Sequence, residues 1–301
     1  MNILITGGCG HIGSELIRSN ITTEHSITVV DNLLTQRYCS LFDLPNPIKF
    51  VEKDIKDLTV HDLANIDIVI HLAAITNAAG SFKNKDVVEK INYNQTKDFI
   101  DKCKQSNCKF IFPSSTSVYG VATDIVHEND DSFLNPQSPY AESKIQIEQY
   151  LKQHCDNYVI LRFGTIFGTS SGMRFHTAVN KFCYEASLNI PLTIWKQNYD
   201  QYRPYLGLKD AIKSIMFFTK KYNETYWNET YNILTNNCKL DEIVEYISEI
   251  TPVTLNLIDT PLLNQFSYQV SDKKIKDIGF ESDENIRDNI IRTLRKLKNL
   301  K

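Results

Sequence analysis

No apolar run in the 301-residue sequence comes near the ~20 residues that a transmembrane helix requires, so no membrane span is expected. C-x-x-C pairs are missing as well. The seven cysteines, at 9, 39, 103, 108, 155, 183 and 238, are odd in number and scattered, which fits the reduced, mostly buried thiols of a cytoplasmic protein. The seven histidines show no zinc-ligand spacing, and no metal site is expected. Excess charge of either sign is absent: a net charge of −3 gives no reason to expect nucleic acid or an anionic membrane as partner. There is no low-complexity linker and no internal repeat, and a strand beginning at Asn2 leaves no room for a signal peptide before it. What remains, 42% hydrophobic and 23% charged, suits a globular chain with one large core or two closely joined ones.

What is present begins at once. Residues 2–6 form a short apolar, β-branched run that reads as a buried strand. Gly7, Gly8, Gly10 and Gly13 follow, and a helix is expected over residues 11–18. Glycines at this spacing permit a tight turn, a close approach of backbone N–H groups to a pyrophosphate, and contact between helix and strand. Gly7, Gly10, His11, Ile12 and Gly13 are therefore candidate cofactor-binding residues at a helix N-terminus; the His11 side chain reads as packing rather than as a base. A second strand, residues 26–30, ends in Asp31, where a carboxylate would accept from an adenosine ribose and repel a 2′-phosphate. That favours NAD over NADP.

Strands over residues 48–52, 66–72, 109–113 and 158–163 continue the pattern, with helices over 83–105 and 140–154 between them. Asn32, Asp54 and Ile55 would sit at strand ends beside the adenine, and Leu72, Ala73 and Ala74 would let a cofactor approach the backbone. The alternation implies an α/β fold with a doubly wound parallel sheet and its ligand beyond the carboxyl ends of the strands. From about Gly168 the rhythm changes. Helices over 174–188, 209–222, 239–251 and 284–300 alternate with short strands near Leu192, Pro204 and Tyr231. The expected division is a dinucleotide-binding domain over 1–167 and a smaller substrate lobe over 168–301, with the chain able to cross between them.

Tyr140 and Lys144 are one helical turn apart and share a face, behind a proline-containing first turn that Ser138 can cap. A free phenol is a poor base at neutral pH, and an adjacent ammonium would lower its pKa. Lys144 could also hold the nicotinamide ribose, and Ser115, at a strand end, could donate to the same substrate oxygen. The three then form a candidate set for removing a hydroxyl proton while hydride leaves the carbon.

These residues resemble the short-chain dehydrogenase/reductase superfamily, in its extended branch of NAD-dependent epimerases and dehydratases that act on nucleotide-activated sugars. The resemblance spans essentially the whole chain. It rests on Gly7/Gly10/Gly13, Asp31-Asn32, Asp54-Ile55, His71 to Ala74, Asn92 with Thr96, Ser114 to Gly120, Tyr140/Lys144, Leu161 to Gly168, Arg203 to Asp210 and Tyr231-Asn232. It implies catalytic roles for Ser115, Tyr140 and Lys144, adds Asn92 to the cofactor site, and places Thr76, Ser115, Thr116, Thr165 and Arg203 on a nucleoside-diphosphate sugar. Arg203 would contact the diphosphate, which suits a planar guanidinium fork.

Three departures bear on the reaction. The Asp-Glu pair of sugar 4,6-dehydratases is Thr116-Ser117 in this chain; the catalytic cysteine of the fucose-synthase type is Ser117; and the asparagine common in 4-epimerases is Thr165. The family's second diphosphate arginine has no match, because Thr260 to Val270 contains no basic residue. The expected activity is NAD-dependent oxidation at C4 of a nucleotide sugar, first as a 4-epimerase, second as a net dehydrogenase or 4-keto reductase. A non-catalytic NAD-binding regulator is the rival class. A homodimer through helices 83–105 and 140–154 is implied by the resemblance, with Phe99, Ile100, Ile145, Ile147 and Leu151 as apolar residues beyond one core stripe.

Overall fold

A computed structural model describes residues 1–120, 122, 125–222, 225–259 and 267–298. Its strands are β1 (Asn2–Thr6), β2 (Ser26–Asp31), β3 (Lys49–Glu52), β4 (Ile68–His71), β5 (Lys109–Ser115), β6 (Ile125–Val126), β7 (Tyr158–Phe163), β8 (Thr165–Phe167), β9 (Leu192–Trp195), β10 (Tyr202–Gly207), β11 (Glu229–Ile233), β12 (Asn236–Lys239), β13 (Leu255–Ile258) and β14 (Gln269–Val270). Seven of them form one sheet in the order β11-β7-β5-β4-β1-β2-β3, with every pair parallel. A parallel sheet must be covered on both faces, and this explains the unbroken apolar runs. Ile3 and Ile5 point to the face covered by the helices His11–Leu16 and Leu208–Lys220, packing with Leu16, Ile215 and Phe218. Leu4 points to the opposite face, in a core with Phe99, Ile147 and Leu151 from the helices Thr96–Gln105 and Pro139–His154. The strand order reverses between β1 and β4, and a crevice opens at their carboxyl ends, where such sheets bind ligands.

The second lobe has two small sheets, β12-β10-β8 and β13-β9, with a core that includes Phe167, Phe182, Tyr205, Ile243 and Ile290. It is not a separate run of chain. The strand near Tyr231, expected in the small lobe, is β11, which pairs with β7 and completes the large sheet. Ile275 and Phe280 also return to the large core.

Helix boundaries moved where tertiary contacts override local pattern. The expected 83–105 helix is Lys85–Val88, a π-helical stretch Glu89–Gln95 and Thr96–Gln105. The Thr96 hydroxyl donates to the Ile91 carbonyl, five residues back, within that widened turn (3.3 Å). The expected 174–188 helix starts only at Ala178, which leaves Arg174 to Thr177 in a loop. The first helix ends at Leu16, and the last runs Ile286–Lys298; Leu300 lies outside the described residues, as do Asp124 and residues 260–266. Ser138 caps its helix as expected, accepting from the Ala141 N–H at 3.2 Å with Pro139 in the first turn. The apolar residues assigned to a dimer face are inside the subunit. Phe99, Ile100, Ile147 and Leu151 share one core, and Ile145 packs with Val118 and Tyr119.

Candidate active site

The glycine turn and the strand ends build a groove lined by Gly7, Gly10, Asp31, Asn32, Asp54, Ile55, Leu72, Ala73 and Ala74. Gly7 has φ +69, and a Cβ on it would lie 2.6 Å from the Ala73 nitrogen, so only glycine lets β1's end meet β4's end this closely. The Asp31 carboxylate accepts the Cys9 N–H at 3.0 Å through one oxygen and the Leu33 N–H at 2.9 Å through the other. It is thereby held at the groove mouth with lone pairs left over for a ribose. Asn32 donates to Asp54 at 3.0 Å, tying the ends of β2 and β3 together. These residues fit a dinucleotide: a cradle without side chains at the turn, and a fixed carboxylate one ribose away. Gly13 lies beneath the turn against Gly8 and lines no wall.

Leu72, Ala74 and Arg174 are shared with a second cavity of about 250 Å³. Ser115, Tyr140, Lys144, Thr76, Thr165, His11 and Ile12 all line it, so the expected catalytic set converges on one space. Three buried polar atoms in this wall, His11 Nε2, Thr76 Oγ1 and Ser117 Oγ, have no hydrogen-bond partner. Buried polar groups are normally paired, so a wall with three unpaired ones suits a ligand rich in hydroxyls. No Asp or Glu lines this cavity among the described residues.

The electrostatics differ from expectation. Lys144 is 5% exposed, and its ammonium donates to the Pro113 carbonyl at 2.7 Å, lying 4.4 Å over the Phe112 ring and 5.9 Å from the centre of the Tyr140 ring. Burial pushes Lys144 down to about 8, with Glu148 holding it up in part. Burial pushes the Tyr140 phenol up, opposed by the Arg174 guanidinium and by a hydrogen bond with Ser115. The Arg174 guanidinium is thus a cation that acts on the phenol, and Lys144 spends one of its donors on the Pro113 carbonyl.

Residues 3–233 match the model of the NAD dependent epimerase/dehydratase family. The chain belongs to this family. A putative UDP-glucose 4-epimerase of Methanocaldococcus jannaschii is 27% identical, over 99% of this chain and 98% of its own. Among solved structures, the fold is similar to UDP-N-acetylglucosamine 4-epimerase from Methanobrevibacter ruminantium M1 (TM-score 0.87, 24% identity, 100% of this chain and 99% of that one). It is equally similar to UDP-glucuronic acid 4-epimerase from Bacillus cereus in complex with UDP-glucuronic acid and NAD (TM-score 0.87, 24% identity, all of both chains).

In this epimerase/dehydratase-family chain, three expected site residues besides Gly13 lie elsewhere. Asn92 lines neither cavity: it donates to the Ile75 carbonyl and accepts the Ile75 N–H, both at 2.8 Å, fixing the loop after β4. Thr116 is turned toward the Tyr268 hydroxyl, 3.3 Å away. Arg203 sits 5.1 Å over the Tyr268 ring with a buried, unpaired Nη2, and it lines neither cavity. Conversely, Ser117, Arg174, His176, Thr177 and Asn180 line the catalytic cavity, and Arg37 lines the groove. Four of these fall in the stretch Met173 to Asn180, which the sequence offers first as helix packing and second as an approach to the nucleotide.

Below the site, Glu148 is one turn past Lys144 and forms a buried pair with Arg162 at 2.6 Å. Ser114 donates to the same carboxylate, Arg162 donates to the Tyr119 hydroxyl at 2.9 Å, and Tyr119 donates to Asn232 at 2.7 Å. Asn232 in turn donates to Glu128 at 3.0 Å. This network joins the helix Pro139–His154 to β5, β7 and β11.

Proposed function

We propose that this chain is an NAD-dependent nucleotide-sugar 4-epimerase. The carrying observation is that Ser115, Tyr140 and Lys144 face one cavity, which opens through Leu72 and Ala74 onto a groove fit for NAD. Bound NAD would supply a hydride acceptor that can return what it takes. Tyr140 then removes the C4 hydroxyl proton, and Ser115, on the wall of the same cavity, shares the substrate oxygen. Lys144 anchors the base of the site from the Pro113 carbonyl and offers its remaining protons to a ribose. Thr76, Thr165, Ser117 and His11 contact sugar hydroxyls from the walls. Among the described residues the cavity has no carboxylate, hence no ordinary acid-base pair for moving water, which speaks for epimerisation over dehydration. Similarity to UDP-sugar 4-epimerases over the full chain supports UDP as the nucleotide.

Incubation with NAD and UDP-, GDP-, CDP- and dTDP-sugars tests this. The expected result is a C4 epimer by product NMR without a lasting rise at 340 nm. A stoichiometric rise would instead make it a net dehydrogenase, and no turnover of any sugar would leave a cofactor-binding regulator. A homodimer through the 83–105 and 140–154 helices is proposed on the family resemblance alone, since the side chains first assigned to it are internal. Light scattering at micromolar concentration checks it. A cytoplasmic location is supported by seven unpaired cysteines. No helix among the described residues is long and apolar enough to cross a membrane.

A further inference from the structure

Between β8 and the helix Ala178–Ser187 the chain forms a strap that the fold pins at three places. Asn180 closes its base, accepting the Gly168 N–H at 3.0 Å and donating to the carbonyls of Gly168 (3.3 Å) and Arg174 (3.2 Å). All of the amide's donors, and one lone pair of its oxygen, are used inside the protein, so Asn180 is a clasp although it lines the cavity. The middle of the strap lies on the glycine turn: Ser170 donates to the His11 carbonyl at 2.9 Å, and the Gly172 N–H donates to Ser14 Oγ at 2.9 Å. A Cβ on Gly172 would overlap the Gly10 carbonyl. The strap ends in Arg174, whose side chain faces both the groove and the catalytic cavity.

We infer that Arg174 is a diphosphate-binding residue, held by this strap at the junction of the cofactor groove and the sugar cavity. The inference rests on the proposed reaction, which brings two diphosphates, one in each ligand, to this junction. Arg174 is half-buried, and no hydrogen bond or ion pair engages its guanidinium among the described residues. Arg37, on the groove's other wall, is equally unpaired, and each burial disfavours its charge; Arg37 also repels Arg174. Asp31 offsets part of the cost of Arg37's charge, whereas among the described residues no carboxylate acts on Arg174, so an anion entering between the two guanidiniums relieves their repulsion. A diphosphate fits: it carries the charge, and its oxygens match the guanidinium fork. Arg203, the arginine expected on the substrate diphosphate, is stacked on Tyr268 outside both walls. Arg174 occupies the position the chemistry needs.

The test titrates wild type, Arg174→Ala, Arg174→Lys and Gly172→Ala calorimetrically with NAD, and separately with UDP on NAD-loaded protein. Arg174→Ala should weaken at least one ligand about 10- to 100-fold, the range for losing a hydrogen bond to a charged group. Loss in the NAD arm alone assigns the cofactor's diphosphate, loss in the UDP arm alone assigns the substrate's, and loss in both assigns a shared contact. Arg174→Lys, which keeps the charge without the fork, should fall between. Gly172→Ala lifts the strap and should weaken the same arm although Arg174 is intact. Melting curves without ligand identify any variant that fails to fold, and the other two then carry the test. Binding of both ligands within twofold of wild type in Arg174→Ala overturns the assignment. Wild type binding neither NAD nor UDP would overturn the enzymatic reading as well.

Discussion

The groove and the catalytic cavity share a wall but are built from different material. The groove is founded on backbone, a glycine turn and the ends of β1, β2 and β4, with the Asp31 carboxylate fixed by two N–H groups. The cavity is made of side chains delivered by a helix, a strand end and a strap from the second lobe. Backbone sites tolerate few residue types at few positions, so their pattern is specific. Side-chain sites depend on which loops happen to meet, and loops vary.

Perturbing the two sides separately should expose the difference. The largest effect is expected from Tyr140→Phe, which removes one oxygen from the cavity: turnover should fall ~10²–10⁴-fold while NAD affinity by calorimetry stays near wild type. If NAD affinity falls as far as turnover, the two sides are not independent. Next is Glu148→Ala, which leaves Arg162 buried and unpaired and should cost about 3–5 kcal/mol in denaturant unfolding, with the catalytic helix loosened. On the groove side, Asp31→Ala should weaken NAD about 10-fold and narrow its advantage over NADP, both read by titration.

The smallest effects are those of pH. Burial pushes His71 and His11 down to about 3, so these two histidines are neutral in the fold while the unfolded chain protonates near 6.5. The unfolded state therefore binds more protons below that value. Stability should fall as pH drops from about 6.5 toward 4, by at most ~1.4 kcal/mol per pH unit for each histidine. Unfolding midpoints across that range check the slope, and His71→Gln should flatten it. Lys144 works in the opposite direction for function: it is charged below about 8, so NAD affinity should decline as pH rises past that point.

The same contrast explains what was legible in the sequence. β1, β2, β5, β7 and the helix Pro139–His154 follow from apolar runs and a serine-proline start, and the glycine turn follows from spacing. The stretch Met173 to Asn180 reads first as helix packing and only second as an approach to the nucleotide, because its apolar pattern imitates a helix that begins four residues after Arg174; Asn180's bonds to Gly168 and Arg174 reveal a strap instead. Asn92 carries a family position into a clamp on Ile75, which no local pattern distinguishes from a ligand contact. The direction of the Tyr140 shift was missed because i, i+4 spacing says that two side chains are neighbours, not where the lysine's protons go. The dimer stripe failed for a similar reason: two apolar stripes on adjacent helices satisfy each other first.

The position of β11 has a consequence for how the protein is made. Strand β7 is buried at every one of its six residues, and one of its edges is covered only by β11, some sixty-six residues further along the chain. During synthesis β7 therefore emerges as an apolar edge with no partner, a surface prone to pair with other chains. Asn232 arrives on the same late strand, and until it does, Tyr119 and Glu128 lack the amide that satisfies them. The catalytic helix can form early, but its footing through Glu148 and Arg162 is finished only when the chain has passed through the second lobe and come back. A fragment ending at residue 167 should accordingly aggregate rather than fold, although it contains the whole glycine turn and all three proposed catalytic residues.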